Sequence, residues 1–198
     1  DAVYSSPVTL TDGQTIKARA VKDGMKPSAV AVKKYTTGAA PVETKTYTLT
    51  FPDDNKNNNS KGSYTETWTA KIGDNSWTII NFNNNQWKDW SYIKAGRRNN
   101  ASVASIQTDW AITEAISKLT VVIDKVTASK INSIKWIIAT DSKYANVIGT
   151  ITLGAKTGTI VSDVKTPTAA CYYKLVVDCA SGTSNGLIQI SSVKYSNE

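Results

Sequence analysis

Beyond Tyr47 the chain keeps alternating apolar with polar residues, in short runs separated by turns rich in Asn, Asp and Gly. Tyr47, Leu49 and Phe51 alternate with threonines. Tyr64 and Trp68 follow within YTETWTA, then Trp77, Ile79 or Ile80 and Phe82 within WTIINF. The pattern continues through Leu119, Val121 and Ile123, then Ile134, Trp136 and Ile138, then Ile151 and Leu153, and Ile160 and Val164. It closes with Tyr173 to Val177 and Leu187 to Tyr195. A period of two puts successive side chains on opposite faces of an extended strand, so each run has one face to bury. Nine or ten such strands at this spacing predict an all-β protein, a two-sheet jelly-roll β-sandwich. Composition agrees: Thr, Val, Ile, Tyr and Trp abound, with only two Phe and one Met among 198 residues.

Three local features refine this reading. In LIQISSVKY, Ile188 and Ile190 share one face while Val193 and Tyr195 fall on the other, so a bulge at Ser191-Ser192 is needed to return both pairs to the core. One short helix is expected at Trp110 to Ser117, where Ile112 and Ile116 lie one turn apart and Asp109 stands as N-cap. Cys171 and Cys179 bracket CYYKLVVDC. As ends of one strand they sit about 26 Å apart, whereas a disulfide needs Cα atoms within about 7 Å. Two buried free thiols are expected.

The first 35 residues are different. Val8 and Leu10 lead to Asp12-Gly13, Ile16, Ala18 and Ala20 alternate with Lys17 and Arg19, and Asp23-Gly24 precedes Val30 and Val32. These are short strands with hairpin punctuation. YSSPVTL, TIKARAVKDG and SAVAVKKY resemble the second half of the immunoglobulin-like domain found at the C-terminus of chitobiases and β-hexosaminidases. The family's first half is missing, so residues 1–37 are expected to form a small, partial immunoglobulin-like β module that docks on the rest or is the remnant of a cut domain. TTGAAPVETK supplies a linker over 38–45, and the sandwich occupies 46–198. The order of features over 46–196 resembles the galactose-binding-like jelly rolls of secreted bacterial proteins. It has a tryptophan-rich first third, the turn Gly96-Arg97-Arg98, SKLTVVIDKV, IKWIIATDS and GLIQISSVKY. That resemblance implies an extracellular or cell-surface protein, frequent carbohydrate binding and, in some members, a structural calcium held largely by backbone carbonyls. The start at Asp1-Ala2-Val3-Tyr4 shows no signal peptide and reads as processed or trimmed.

Much chemistry is excluded. The chain has no histidine, which removes His-based triads, His metal ligands and the commonest general base. Of four glutamates, Glu43 sits in the linker and Glu198 is the last residue. The twelve aspartates fall mostly in turns, where Asp serves its own backbone. No enzyme is expected, and no cofactor. Asp53, Asn55, Asn57 and Asn59 alternate as in a calcium loop, but Asn58 replaces the required glycine and Tyr64 the final glutamate. A solvated hairpin loop is the better reading. No run approaches the roughly 20 apolar residues of a membrane span, so no insertion is expected. The net charge of +7 is spread along the chain, with Lys33-Lys34 and Arg97-Arg98 as adjacent pairs. A nucleic-acid reader gathers its charge into a stripe, and none is visible.

The tryptophans carry the functional question. Trp68 and Trp136 lie in clean alternating runs and read as core, with Trp77 similar. Trp87 and Trp90 sit instead within NFNNNQWKDW, among Asn83, Asn84, Asn85 and Gln86. Aromatic faces flanked by amides suit the apolar face and hydroxyls of a pyranose. A spacing of three cannot place both rings on one face of an extended strand, whereas a turn would let them converge. The candidate ligand site is therefore Trp87, Trp90, Asn83, Asn85, Gln86, Arg97, Arg98 and Trp110. The leading expectation is a non-catalytic module that binds a polysaccharide or glycan. A structural or adhesive module that contacts another protein comes second, and an accessory nucleic-acid-associated domain third.

Overall fold

A computed structural model describes residues 3–36, 43–56 and 61–198. It divides into two units, Asp1–Glu43 and Thr44–Glu198. In the first, β1 (Thr15–Ala18) pairs antiparallel with β2 (Ala31–Lys34), Thr15 opposite Lys34 and Ala18 opposite Ala31. Gly13 and Gly24 take positive φ at the two Asp-Gly turns, as the sequence requires. Among its described residues only Leu10 is even half-buried. A lone hairpin of this kind has no core of its own. The linker assigned to 38–45 lies mostly outside the described residues.

The second unit is a jelly-roll β-sandwich. Its strands are β3 (Thr46–Thr50), β4 (Thr67–Ile72), β5 (Asn75–Ile80), β6 (Ile93–Ala95), β7 (Ser102–Thr108) and β8 (Lys118–Val126), followed by β9 (Ile131–Ala139), β10 (Val147–Leu153), β11 (Gly158–Asp163), β12 (Tyr172–Cys179) and β13 (Ile188–Ser196). One sheet has the order β10-β9-β12-β7-β5-β4. The other runs β11-β8-β13-β3, with β6 also paired to β13. Every ladder is antiparallel.

The alternation decides what is inside. Trp68, Trp77, Ile79, Ile106, Leu119, Val121, Ile134, Trp136 and Leu175 are all buried in one cluster. Trp136 of β9 meets Tyr195 of β13 edge-on at 5.7 Å, so rings from the two sheets interdigitate. The register along β13 shifts between Ile190 and Ser192, and Ile188, Ile190, Val193 and Tyr195 are all buried. The bulge thus returns both pairs to the core. Cys171 and Cys179 are free and buried, on the same inward parity as Tyr173, Leu175 and Val177.

The helix expected at Trp110 to Ser117 does not form. Ile112 instead exchanges backbone hydrogen bonds with Cys171, and Ser117 N–H donates to the Ser196 carbonyl at 2.8 Å. Ile112 and Ile116 are both buried, because an irregular crossover with tertiary partners satisfies the same spacing as a helical turn. Asp109 caps no helix; its carboxylate accepts from the Ser76 and Thr78 hydroxyls at 3.0 and 2.6 Å.

The solvated loop assigned to Asp53–Ser60 is only partly so. Asp53 is buried, and its Oδ2 accepts from the backbone of Asn55 and Lys71 at 3.3 and 2.9 Å. Residues 57–60 lie outside the described residues. No helix among the described residues is long and apolar enough to cross a membrane.

Candidate functional site

The amide-rich segment after β5 is mostly scaffold. Asn81 takes φ +60° and its amide donates to the Val103 carbonyl at 2.8 Å, ending the strand. Phe82 turns inward, and its carbonyl accepts the Trp68 indole N–H at 2.9 Å. Asn83 pairs its backbone with Lys94 and donates its side-chain amide to the Gly62 carbonyl. Asn84, fully buried, accepts the Lys61 N–H on its side chain, while its own N–H donates to the Lys61 carbonyl at 3.0 Å. These amides fasten segment 61–62 to the sheet end. Gln86, in the 3₁₀ turn Gln86–Lys88, is also fully buried, and neither of its amide atoms has a partner among the described residues. Between Asn83 and Gln86 only Asn85 stays half-accessible, beside Trp87, whose indole N–H it accepts at 3.2 Å.

The two tryptophans separate, although not by the alternation of an extended strand: Trp87 lies in the 3₁₀ turn Gln86–Lys88, and Asp89, just before Trp90, is left-handed at φ +59°. Trp87 is 58% exposed, with the Lys88 ammonium 4.5 Å from its ring centre. Trp90 is half-buried and already engaged: Tyr92 stacks on it at 5.2 Å, and the Lys94 ammonium lies 4.0 Å from its ring centre. Burial, then the Lys125 charge, pulls the Lys94 pKa down. Burial, then Tyr92, raises that of Tyr64.

Trp110 is not brought to this end of the sandwich. Because β5 and β7 run antiparallel, with Ile80 opposite Ser105 and Trp77 opposite Thr108, the loop after β5 lies at the start of β7. Trp110 follows the end of β7. There it packs edge-on against Trp77 at 5.0 Å and against Tyr47 at 6.0 Å.

Arg97 and Arg98 sit on a turn locked from several sides. Gly96 takes φ +95° and leads into an Arg97–Asn100 bridge, with Asn99 left-handed at φ +59°. Asn99 N–H donates to the Gly182 carbonyl at 2.8 Å, Gly182 N–H to Arg97 at 3.0 Å and Gly186 N–H to Gly96 at 2.9 Å. Arg98 N–H donates to the Asn185 side chain at 2.7 Å. Leu187 fills the space beneath, so close that a Cβ on Gly96 or Gly182 would meet it at 2.6 or 2.7 Å.

The upper side of this turn, together with Ser63, Tyr64, Thr65 and Asn185, lines an open cavity of about 400 Å³. Its lining residues carry hydroxyls, amides, one phenol and two guanidiniums. No carboxylate lines it, and among the described residues neither guanidinium is ion-paired. Segment 61–65 joins the two halves of the site, since the Asn83–Asn84 loop holds its start and the arginine turn faces its end.

Ser63, Tyr64, Thr65, Asn99, Asn100 and Asn185 escaped the sequence reading because they converge from distant turns without a shared motif. Another grouping went unseen. Tyr144, left-handed at φ +57°, donates its hydroxyl to the Tyr173 carbonyl at 2.9 Å, and the Lys174 ammonium lies 3.9 Å from its ring centre. Asp141 holds that loop by accepting three backbone N–H groups, which lowers its pKa. Among the described residues no group of three or more His, Cys, Asp or Glu is placed to hold a metal ion.

No protein-family model matches the sequence, and no curated protein matches it. Among solved structures the chain is similar to a variant of a family 29 carbohydrate-binding module, at 10% identity over 78% of this chain and 87% of that one, with a TM-score of 0.33. It is also similar to the family 11 carbohydrate-binding module from Clostridium thermocellum in complex with a β-1,3-1,4-mixed-linked tetrasaccharide. There the identity is 13% over 79% and 90% of the two chains, with a TM-score of 0.32.

Proposed function

We propose that the second unit is a non-catalytic carbohydrate-binding module, working outside the cell or at its surface. The observation that carries this reading is the open, hydrogen-bonding cavity at the arginine turn; the exposed Trp87 indole is tied through Asn85 to the start of the segment 61–65 that lines it. Amides and hydroxyls offer both donors and acceptors to sugar hydroxyls, and the Trp87 ring offers a flat apolar face to the C–H side of a pyranose. Most glycoside hydrolases use two carboxyl groups flanking the scissile bond, and among the described residues the cavity lining has none. Binding without turnover fits that wall.

The chitobiase-like hairpin in the first unit is in this reading a spacer or docking piece, not part of the sugar site. The experiment is a glycan array followed by titration calorimetry. Binding by the intact chain and its loss in Trp87→Ala, at an unchanged melting temperature, support the proposal. Unaltered binding by that variant removes Trp87 from the site, and silence across the array overturns the reading.

A structural or adhesive role is the second reading. It is favoured by Val147, Ile148 and Val161, which are exposed on edge strands β10 and β11. Self-association at micromolar concentration, abolished by Ile148→Lys, would be its signature.

A further inference from the structure

We infer that the cavity at the arginine turn is an anion subsite, and that the glycan taken there is an acidic polysaccharide bearing carboxylate or sulfate groups. The inference rests on the carbohydrate-binding reading and adds the chemical class of the ligand. Three observations carry it.

The first is an imbalance of charge. Arg97 and Arg98 both line the cavity, no acid does, and neither guanidinium is ion-paired among the described residues. The nearby Glu66 is occupied by Lys61 at 3.4 Å. A site for neutral sugars alone has no need of two uncompensated cations. A carboxylate or sulfate matches the planar donor fork of arginine, with two N–H groups directed at two oxygens.

The second observation is preorganisation. Backbone bonds to Gly182 and Gly186, and the Asn185 side chain on Arg98 N–H, hold the turn before any ligand arrives. Holding the two arginine Cα positions in advance lowers the ordering cost that binding would otherwise incur.

The third is the surrounding field. Lys125, Gln189 and Lys94 stand opposite one another across β8, β13 and β6. A Cβ placed on Gly186 would lie 3.0 Å from the Lys94 side chain and 3.2 Å from the Tyr64 hydroxyl, so Lys94 borders the cavity wall, with Lys125 two strands away. Burial and the like charge of Lys125 both lower the Lys94 pKa, as expected in a positive neighbourhood that lacks its anion.

A nucleic acid would also meet positive charge here. The wall favours a glycan, because its neutral hydrogen-bonding groups outnumber its cations, whereas a phosphodiester reader follows its backbone with a row of basic side chains.

The test uses the full chain and measures binding to polygalacturonate, to the same polymer after carboxyl reduction, to a sulfated polysaccharide and to poly(dT). Binding to polygalacturonate or to the sulfated polymer, lost on carboxyl reduction in the first case, is the expected result, and the two polymers tell carboxylate from sulfate. Arg97→Gln and Arg98→Gln should each weaken binding by about tenfold or more, the worth of one charge-assisted bidentate contact, at an unchanged melting temperature. Arg98→Lys should recover only part of the loss. Equal affinity for the carboxyl-reduced polymer overturns the anion subsite and leaves carbohydrate binding standing. No binding to any polysaccharide overturns both, and tighter binding to poly(dT) overturns the inference in favour of nucleic acid.

Discussion

The Arg98 backbone N–H donates to the side-chain oxygen of Asn185 at 2.7 Å, tying together two turns 87 residues apart in sequence. Both residues line the same cavity. That bond holds the arginine turn against the turn at Asn185, and under the proposed glycan binding it predicts a separation of binding from stability. Asn185→Ala removes an exposed hydrogen bond and should change folding stability by less than about 1 kcal/mol. Glycan affinity should fall several-fold as the turn loosens, and calorimetry alongside thermal melting measures both. Undiminished affinity would show that the turn needs no support from Asn185.

Beneath the turn, Gly96 and Gly182 accommodate Leu187. A Cβ on Gly182 would lie 2.7 Å from Leu187 and 2.8 Å from the Ser184 carbonyl oxygen, an atom of the backbone that cannot swing aside. Gly182→Ala should therefore destabilise the sandwich by about 1–3 kcal/mol. Gly96→Ala adds the strain of its φ of +95° to a contact of 2.6 Å and should cost at least as much. Urea unfolding of both variants gives the values. A cost near zero would mean that Leu187 is free to move.

The tryptophans supply a matched pair. Trp87, exposed beyond the 3₁₀ turn, should be replaced by Ala with a stability change within about 0.5 kcal/mol. Trp77, fully buried, should cost about 3–5 kcal/mol on the same substitution. A large cost at Trp87 would assign it to the core rather than to a ligand.

Gln86 offers a sharper probe of the amide segment. Its side chain is fully buried and neither amide atom finds a partner among the described residues, a state that costs free energy without return. Gln86→Leu keeps the approximate volume and removes the unpaired groups, so the melting temperature should hold or rise. Glycan binding should be unaffected. A clear fall in stability would reveal that the amide is partnered in solution.

Alkaline pH should weaken the fold. Burial raises the pKa of both thiols, that of Cys179 to about 11, with Asp178 as a second cause. An unfolded cysteine titrates near about 8.5. The folded state therefore favours the neutral thiol. This contribution is fully present below about pH 8.5 and is lost as pH rises toward 11. Burial shifts Tyr195 in the same direction, so the loss continues at higher pH. Urea midpoints should fall across this window, less steeply in Cys179→Ala, and neither thiol should react with a thiol reagent in the native protein at neutral pH.

Much of the sandwich was legible because alternation is a local property. Any run such as Ile134, Trp136, Ile138 declares its buried face by itself, and the parity change at Ser191-Ser192 announced the bulge that the register of β13 contains. Local spacing misled at Ile112 and Ile116, where it suggested a helix. Both are buried in a crossover held by backbone bonds from Ile112 to Cys171 and from Ser117 to Ser196, partners that no window around residue 112 contains. The amides of Asn83 and Asn84 posed the same difficulty. Nothing local shows that they serve Gly62 and Lys61 rather than a ligand.

The sequence alone thus determined the two-sheet architecture and the buried faces of most strands, since both follow from the two-residue period of an extended chain, and it singled out Trp87 and Trp90 as the rings set in polar sequence. Tertiary structure alone decided which of those rings meets water, and it assembled the cavity from residues 63–65, 97–100 and 185. The pairing of β13 with β6 and β8 carries these turns to one end of the sandwich. Which loops meet there depends on contacts between distant segments, and no local pattern encodes them.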